Sequence, residues 1–171
     1  NKVVIAYRNQ GNSNYGTAIV GTVSGTNISF GNAVVYRSVM VGIIDITFDS
    51  NSNKVVIVNW NASNNSYGEA IVGTVSGTSI SFGSAVVYES AYSTANCIAF
   101  DSNANKVVIA YRDDGNSNYG TAVVGTVSGT SISFGTPVVF NSGANPTLSI
   151  TFDSSASKII IAYQDDGNSS K

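Results

Sequence analysis

Apolar residues in this chain fall into short runs separated by clusters of Asn, Asp, Ser and Gly, and the runs recur in a fixed order. In residues 96–146 the runs are Asn96 to Phe100, Lys106 to Arg112, Tyr119 to Val127 and Ser131 to Phe140. Val, Ile, Thr, Tyr and Phe dominate them, so each reads as a β-strand, here A, B, C and D. No segment keeps a 3.6-residue apolar period, which argues against helix. The order repeats every 52 residues: Asn1-Lys2-Val3-Val4-Ile5 returns at Asn53, at Asn105 and, as Ser157-Lys158-Ile159-Ile160-Ile161, a fourth time. The chain therefore reads as one repeat array, with units 1–52, 53–104 and 105–156 and a partial unit 157–171.

Burial demand differs between strands. Strand B, Val107-Val108-Ile109-Ala110-Tyr111, is apolar at odd and even positions alike, and Ala122-Val123-Val124 in strand C is similar. Such strands need cover on both faces. Strand A alternates instead, with Leu148, Ile150 and Phe152 against Ser149 and Thr151. A four-stranded meander stacked between like neighbours meets both demands. The expectation is an all-β fold, a β-propeller of four-stranded antiparallel blades. A β-solenoid with parallel ladders is the main rival, and a string of small sandwiches the next. Closed propellers have about four to eight blades, so an array of this length is expected to be incomplete and to close with further repeats of the same chain or with another copy.

Composition narrows the function classes. Charged residues make up only 11% of the chain and the formal net charge is -2, so Asn, Ser, Thr and Gly must supply solubility. Without a basic patch there is nothing to neutralise phosphates, which excludes nucleic acid. No apolar run approaches the roughly 20 residues of a membrane span. There is no His, the commonest general base and zinc ligand, and Cys97 is the only cysteine, at a register filled elsewhere by Asp45 and Ser149. No catalytic or metal-ligating constellation emerges, and no cofactor is expected. The acidic turns Asp113-Asp114-Gly115-Asn116 and Asp165-Asp166-Gly167-Asn168 resemble oxygen-rich calcium loops only weakly, because their counterparts Asn9-Gln10-Gly11-Asn12 and Asn61-Ala62-Ser63-Asn64 lack carboxylates. Turn geometry explains them better, as it does the aspartates that close strand A, Asp49, Asp101 and Asp153.

Comparing the units with one another exposes the candidate site. The A–B turns barely change, and the C–D turn is Val-Ser-Gly-Thr each time. The B–C turn and the D–A link diverge, and in an up-and-down sheet these two share one end. Loops carried on a rigid scaffold commonly hold function. The candidates there are Arg8, Arg37, Trp60, Glu89, Tyr92, Arg112, Asp113 and Asp114, with Trp60 the best ring for stacking on a sugar or anchoring a partner.

The pattern Phe-Asp-x4-Asn-Lys-Val-Val-Ile-Ala-Tyr, followed by Tyr-Gly-Thr-Ala-Val-Val-Gly-Thr-Val-Ser-Gly-Thr-Ser-Ile-Ser-Phe-Gly, resembles tandem repeats of surface and fibre-like proteins from aquatic microbes and their viruses. The chain also resembles sialidase-type propellers loosely in its turns, but the Ser-x-Asp-x-Gly-x-Thr-Trp box and the arginine cluster are missing. The expected function is therefore a noncatalytic propeller of an adhesin or viral fibre, extracellular, on a cell surface or on a virion, binding glycan or protein on a surface. A purely structural repeat is the alternative, and a glycosidase or sialidase-like hydrolase comes third.

Overall fold

The computed structural model describes every residue except Pro146 and Ser169–Lys171. Among the described residues the chain is all-β. Its strands are β1 (Lys2–Asn9), β2 (Tyr15–Ser24), β3 (Asn27–Phe30), β4 (Val34–Asp49), β5 (Lys54–Asn61), β6 (Tyr67–Ser76) and β7 (Ser79–Phe82). They continue as β8 (Val86–Asp101), β9 (Lys106–Asp113), β10 (Tyr119–Ser128), β11 (Ser131–Phe134), β12 (Val138–Ala144), β13 (Leu148–Asp153) and β14 (Lys158–Tyr163). Three-residue 3-10 turns at Gln10–Asn12, Asp114–Asn116 and Asp166–Asn168 are the only helical geometry among them. The strands form one open twelve-stranded sheet and a separate β13–β14 hairpin, neither of which closes on itself. Every described ladder is antiparallel, unlike the parallel ladders of the solenoid alternative.

The sequence grammar maps onto this sheet with one correction. The second half of β4 pairs with β5, β5 with β6, and β6 with both β7 and the first half of β8. That is the expected A-B-C-D order. Strand D, however, is broken in two, and in the first two units its second piece runs straight on into strand A of the next unit, whereas β12 ends at Ala144 and β13 begins at Leu148. In those two units the D–A link expected as a loop is therefore the middle of a sixteen-residue strand, β4 or β8. Continuous pairing satisfies backbone groups that a buried loop would strand. Bulges absorb the change of partner, and Ile43 and Ala95 sit there at φ 45° and 51°.

The turns follow from their residues. Asp49 Oδ1 accepts the N–H groups of Asn51 and Ser52, and Asp101 and Asp153 do the same for their own turns. Each C–D hairpin has a two-residue turn led by Gly25, Gly77 or Gly129, all at φ near 60°, which a side chain would strain.

Packing between units answers the double-burial pattern. Val55 and Ile57 pack toward the first unit, with Val4, Val20, Ala18 and Tyr36. Val56 and Val58 pack toward the third, with Val107, Ile109 and Tyr111. All four are buried, and burying each such side chain stabilises by roughly 1.5–3 kcal/mol. In the end units equivalent positions lie open: Ile5, the counterpart of buried Ile57, is 42% exposed, and Val124 of β10, the counterpart of buried Val72, 47%. The units approach so closely that a Cβ on Gly31 would collide with the Thr78 carbonyl, and one on Gly83 with that of Thr130.

Candidate functional site

The 3-10 turns and the crossing middles of β4 and β8 meet at one end of the units. Val41 N–H donates to Asn14 O, Ala62 N–H to Met40 O, and Ser93 N–H to Ser66 O. These bonds tie each D–A crossing to a B–C turn, so the divergent segments share an end although one of them is strand. The eight candidate residues divide there into three settings.

Arg8, Trp60 and Tyr92 come together. They line an open cleft of about 510 Å3 with Ala6, Tyr7, Gly42, Ile43 and Ile44. Trp60 and Tyr92 meet edge-on, ring centroids 6.3 Å apart at 82°. Tyr92 and Arg8 are exposed, and Trp60 is half-buried. The indole is fixed from below, because Gly42 pairs with Trp60 in the β4–β5 ladder and any Cβ there would strike the ring. The result is a rigid aromatic corner beside a guanidinium, with no carboxylate in the lining.

Arg37 and Glu89 lie instead at the boundaries between units. Arg37 Nε and Nη2 each donate to Glu69 at 2.9 Å, and Asn61 Nδ2 donates to Glu69 Oε1 at 2.8 Å. Glu69 is only 4% exposed, so this fork supplies the partners that a buried carboxylate needs. One boundary further on, Glu89 occupies the register of Arg37. It accepts the Tyr111 hydroxyl at 3.0 Å and its own turn's Ala91 N–H at 2.9 Å. Desolvation, then the Glu89 charge, push the Tyr111 hydroxyl well above the usual phenol range.

Arg112, Asp113 and Asp114 form a local set. Arg112 Nε donates to Asp114 Oδ1 at 2.7 Å and Nη2 to Oδ2 at 3.1 Å, and this hydrogen bonding raises the guanidinium's pKa. Asp113 Oδ1 accepts the Asn116 N–H and caps the 3-10 turn. In the fourth unit Asp165 accepts the Gly167 N–H, and Gln164 donates to Asp166. The carboxylates considered for calcium thus engage protein groups. Among the described residues, no group of three His, Cys, Asp or Glu side chains is placed to hold a metal ion. Cys97 is buried, its Sγ donates to Ala110 O, and burial pushes the thiol up to about 12.

Sequence reasoning missed Glu69, Asn61, Tyr111 and Gly42. A signal for Glu69 was present, since Thr17 and Thr121 stand at its register in the other units. So was one for Asn59, which replaces Tyr7, Tyr111 and Tyr163. Both sit inside strands, where attention to divergent turns did not reach. Comparison with protein-family models, curated proteins and solved structures gives no match to this chain.

Proposed function

We propose that the chain is a noncatalytic, surface-exposed β-propeller segment that binds glycan or another surface macromolecule, as part of an extracellular, cell-surface or virion-borne adhesin or fibre-type protein. Further repeats of the chain or another copy complete the ring. The observation that carries the binding role is the Arg8–Trp60–Tyr92 cleft. A fixed Trp–Tyr corner offers apolar faces to the C–H side of a sugar, and Arg8 offers donors to its hydroxyls. The sparse charge favours neutral, polar ligands over nucleic acid. Glycosidase chemistry uses two facing carboxylates, and the lining of this cleft contains none.

The test is a glycan array probed with the chain, followed by titration of any hit against Trp60→Ala and Tyr92→Ala. Affinity lost at least tenfold in both variants, with folding intact, supports the reading; an empty array together with unchanged cell attachment sinks it. A purely structural role is the second reading, favoured by a specific observation: Arg37 and Glu89, two of the eight candidates, are occupied in joining units. Under that reading Trp60→Ala changes stability and no interaction.

A further inference from the structure

The crossing in β4 carries a bulge whose two residues have different uses. Gly42 stands opposite Trp60 and Asp45 opposite Val58, so Ile43 and Ile44 share the one place opposite Asn59. β8 repeats the arrangement, with Ala95 and Asn96 set between the Thr94–Arg112 and Cys97–Ala110 pairs. In both bulges the second residue turns inward. Ile44 packs against the cluster of Tyr36 and Ile57, and Asn96 is 4% exposed and bonded to Ser93. The first residue takes the left-handed conformation, with φ 45° at Ile43 and 51° at Ala95.

Glycine and asparagine adopt that conformation readily, and a β-branched side chain resists it most. Ile43 also returns little to the core. It is 44% exposed and belongs to none of the three apolar clusters among the described residues. Its side chain lies instead in the wall of the cleft that holds Trp60 and Tyr92. The position is open inside the array as well: Ala95, whose strand has β4 and β13 packed against it, is only partly covered. Bulges beside binding sites re-aim a side chain, and backbone strain persists where a function uses it.

Resting on the glycan reading of this cleft, the geometry points to Ile43 as a specificity-determining contact that selects sugars carrying a methyl substituent. Ile43 presents carbon alone, beside two aromatic rings. A methyl group placed against it leaves water at a gain, whereas a hydroxyl there gives up its water hydrogen bonds and receives no partner. The aromatic rings hold the C–H face of the sugar, and Arg8 and the Tyr92 hydroxyl supply donors for its oxygens. An N-acetyl group and the C6 of a 6-deoxy sugar both offer such a methyl, and Ile43 recognises either by the same chemistry.

The probes are two matched pairs, N-acetylglucosamine against N-formylglucosamine and 6-deoxy-D-galactose against D-galactose. Each is titrated into the 171-residue chain, with the fluorescence of Trp60, the only tryptophan, as the readout. At least one methyl-bearing sugar should bind about tenfold tighter than its partner, and the pair that does so identifies the source of the methyl. Ile43→Ala borrows the residue of the next bulge, so it should fold. It should erase the preference while the affinity of the weaker sugar stays as it was. Ile43→Asn, which suits the backbone better, should melt no lower than the parent and lose the preference equally. Equal binding within both pairs, or a preference that survives both variants, overturns this inference and leaves the glycan reading standing. Equal weakening of both members of a pair together with a lower melting temperature marks Ile43 as structural and does the same. Binding of none of the four sugars overturns this inference, and with an empty glycan array it removes the glycan reading too.

Discussion

Arg37 and Glu69 form a forked ion pair across the boundary between the first and second units, two donor contacts of 2.9 Å onto one buried carboxylate. One boundary on, Glu89 holds Tyr111 from the same register. The two contacts are incompatible. Arg37 needs a carboxylate where the third unit has Thr121, and Glu89 would meet Glu69 carboxylate to carboxylate. Near-identical units could otherwise stack in any order, and like-charge juxtaposition is an effective way to exclude the wrong one. Removing the arginine alone leaves Glu69 buried and underpaired. Arg37→Ala is expected to cost about 3 kcal/mol in urea unfolding, and adding Glu69→Thr should recover most of it.

The same relationship makes a second, sharper prediction. Arg37→Glu, Glu69→Thr and Asn59→Tyr together rebuild the Glu89–Tyr111–Thr121 boundary at the first junction. The triple variant should match the parent within about 1 kcal/mol, since each side chain finds the partner it has elsewhere, while Arg37→Glu alone should lose about 3 kcal/mol or more through two facing carboxylates. Denaturant titration of the parent, the three single variants and the triple variant reads both. Additive losses in the triple variant would remove the matching argument.

Gly42 and Trp60 are matched in a similar way. In the third unit the paired residues are Thr94 and Arg112, so a side chain is tolerated where no indole covers the site. Gly42→Thr should destabilise by about 1–3 kcal/mol by overpacking, and Trp60→Arg in the same chain should relieve it. Thermal melts of the two variants suffice. Equal melting temperatures for both would show that the ring simply moves aside.

How much of this was legible follows from what the units share and where they differ. Strand B announced its double burial because Val55 to Val58 leave no polar face, and the structure spends those residues on two interfaces in alternation. The turn aspartates were legible too, since an Asp before Ser and Asn has its donors two and three residues on. The crossing from strand D to strand A was not. Arg37-Ser38-Val39-Met40 has the polarity of a loop, and only pairing to a neighbouring strand makes it sheet. For the same reason the sequence grouped Arg37 with Arg8 on one binding face, although Arg37 is spent between units and Arg8 stands in the open cleft. Polarity reports that a side chain needs partners; it does not say whether water, ligand or the next unit supplies them.

Tyr36 has a buried hydroxyl with no hydrogen-bond partner among the described residues. Its ring is in use, 5.6 Å from Phe82, and desolvation drives its ionisation far out of range. Tyr88 at the same register has the Ser93 hydroxyl near its own, and the third unit dispenses with the group by using Phe140. Tyr36→Phe should therefore stabilise the chain by about 1 kcal/mol, by deleting an unsatisfied polar atom without opening a cavity. A lower urea midpoint in the variant would mean that the hydroxyl has a partner after all.

Alkaline stability tests the packing between units most directly, because its titrating groups sit in the core. Cys97 is raised from 9.0 to about 12 by burial, then by the Asp45 charge. Burial also raises Tyr36, Tyr88 and Tyr111 above 10.0. In each case the neutral, protonated form is the one the fold accommodates. Their contribution is complete below the unfolded values and drains away as pH climbs, first for the thiol from about 9 and then for the phenols from about 10. Each group ionising only in the unfolded chain removes about 1.4 kcal/mol per pH unit. Stability should thus be flat toward neutral pH and fall with growing slope above 9. Cys97→Ala should postpone the onset by about one unit without removing the steeper tyrosine phase. A decline beginning below pH 8, or an onset unmoved by Cys97→Ala, would show that the thiol is not held neutral by the units packed around it.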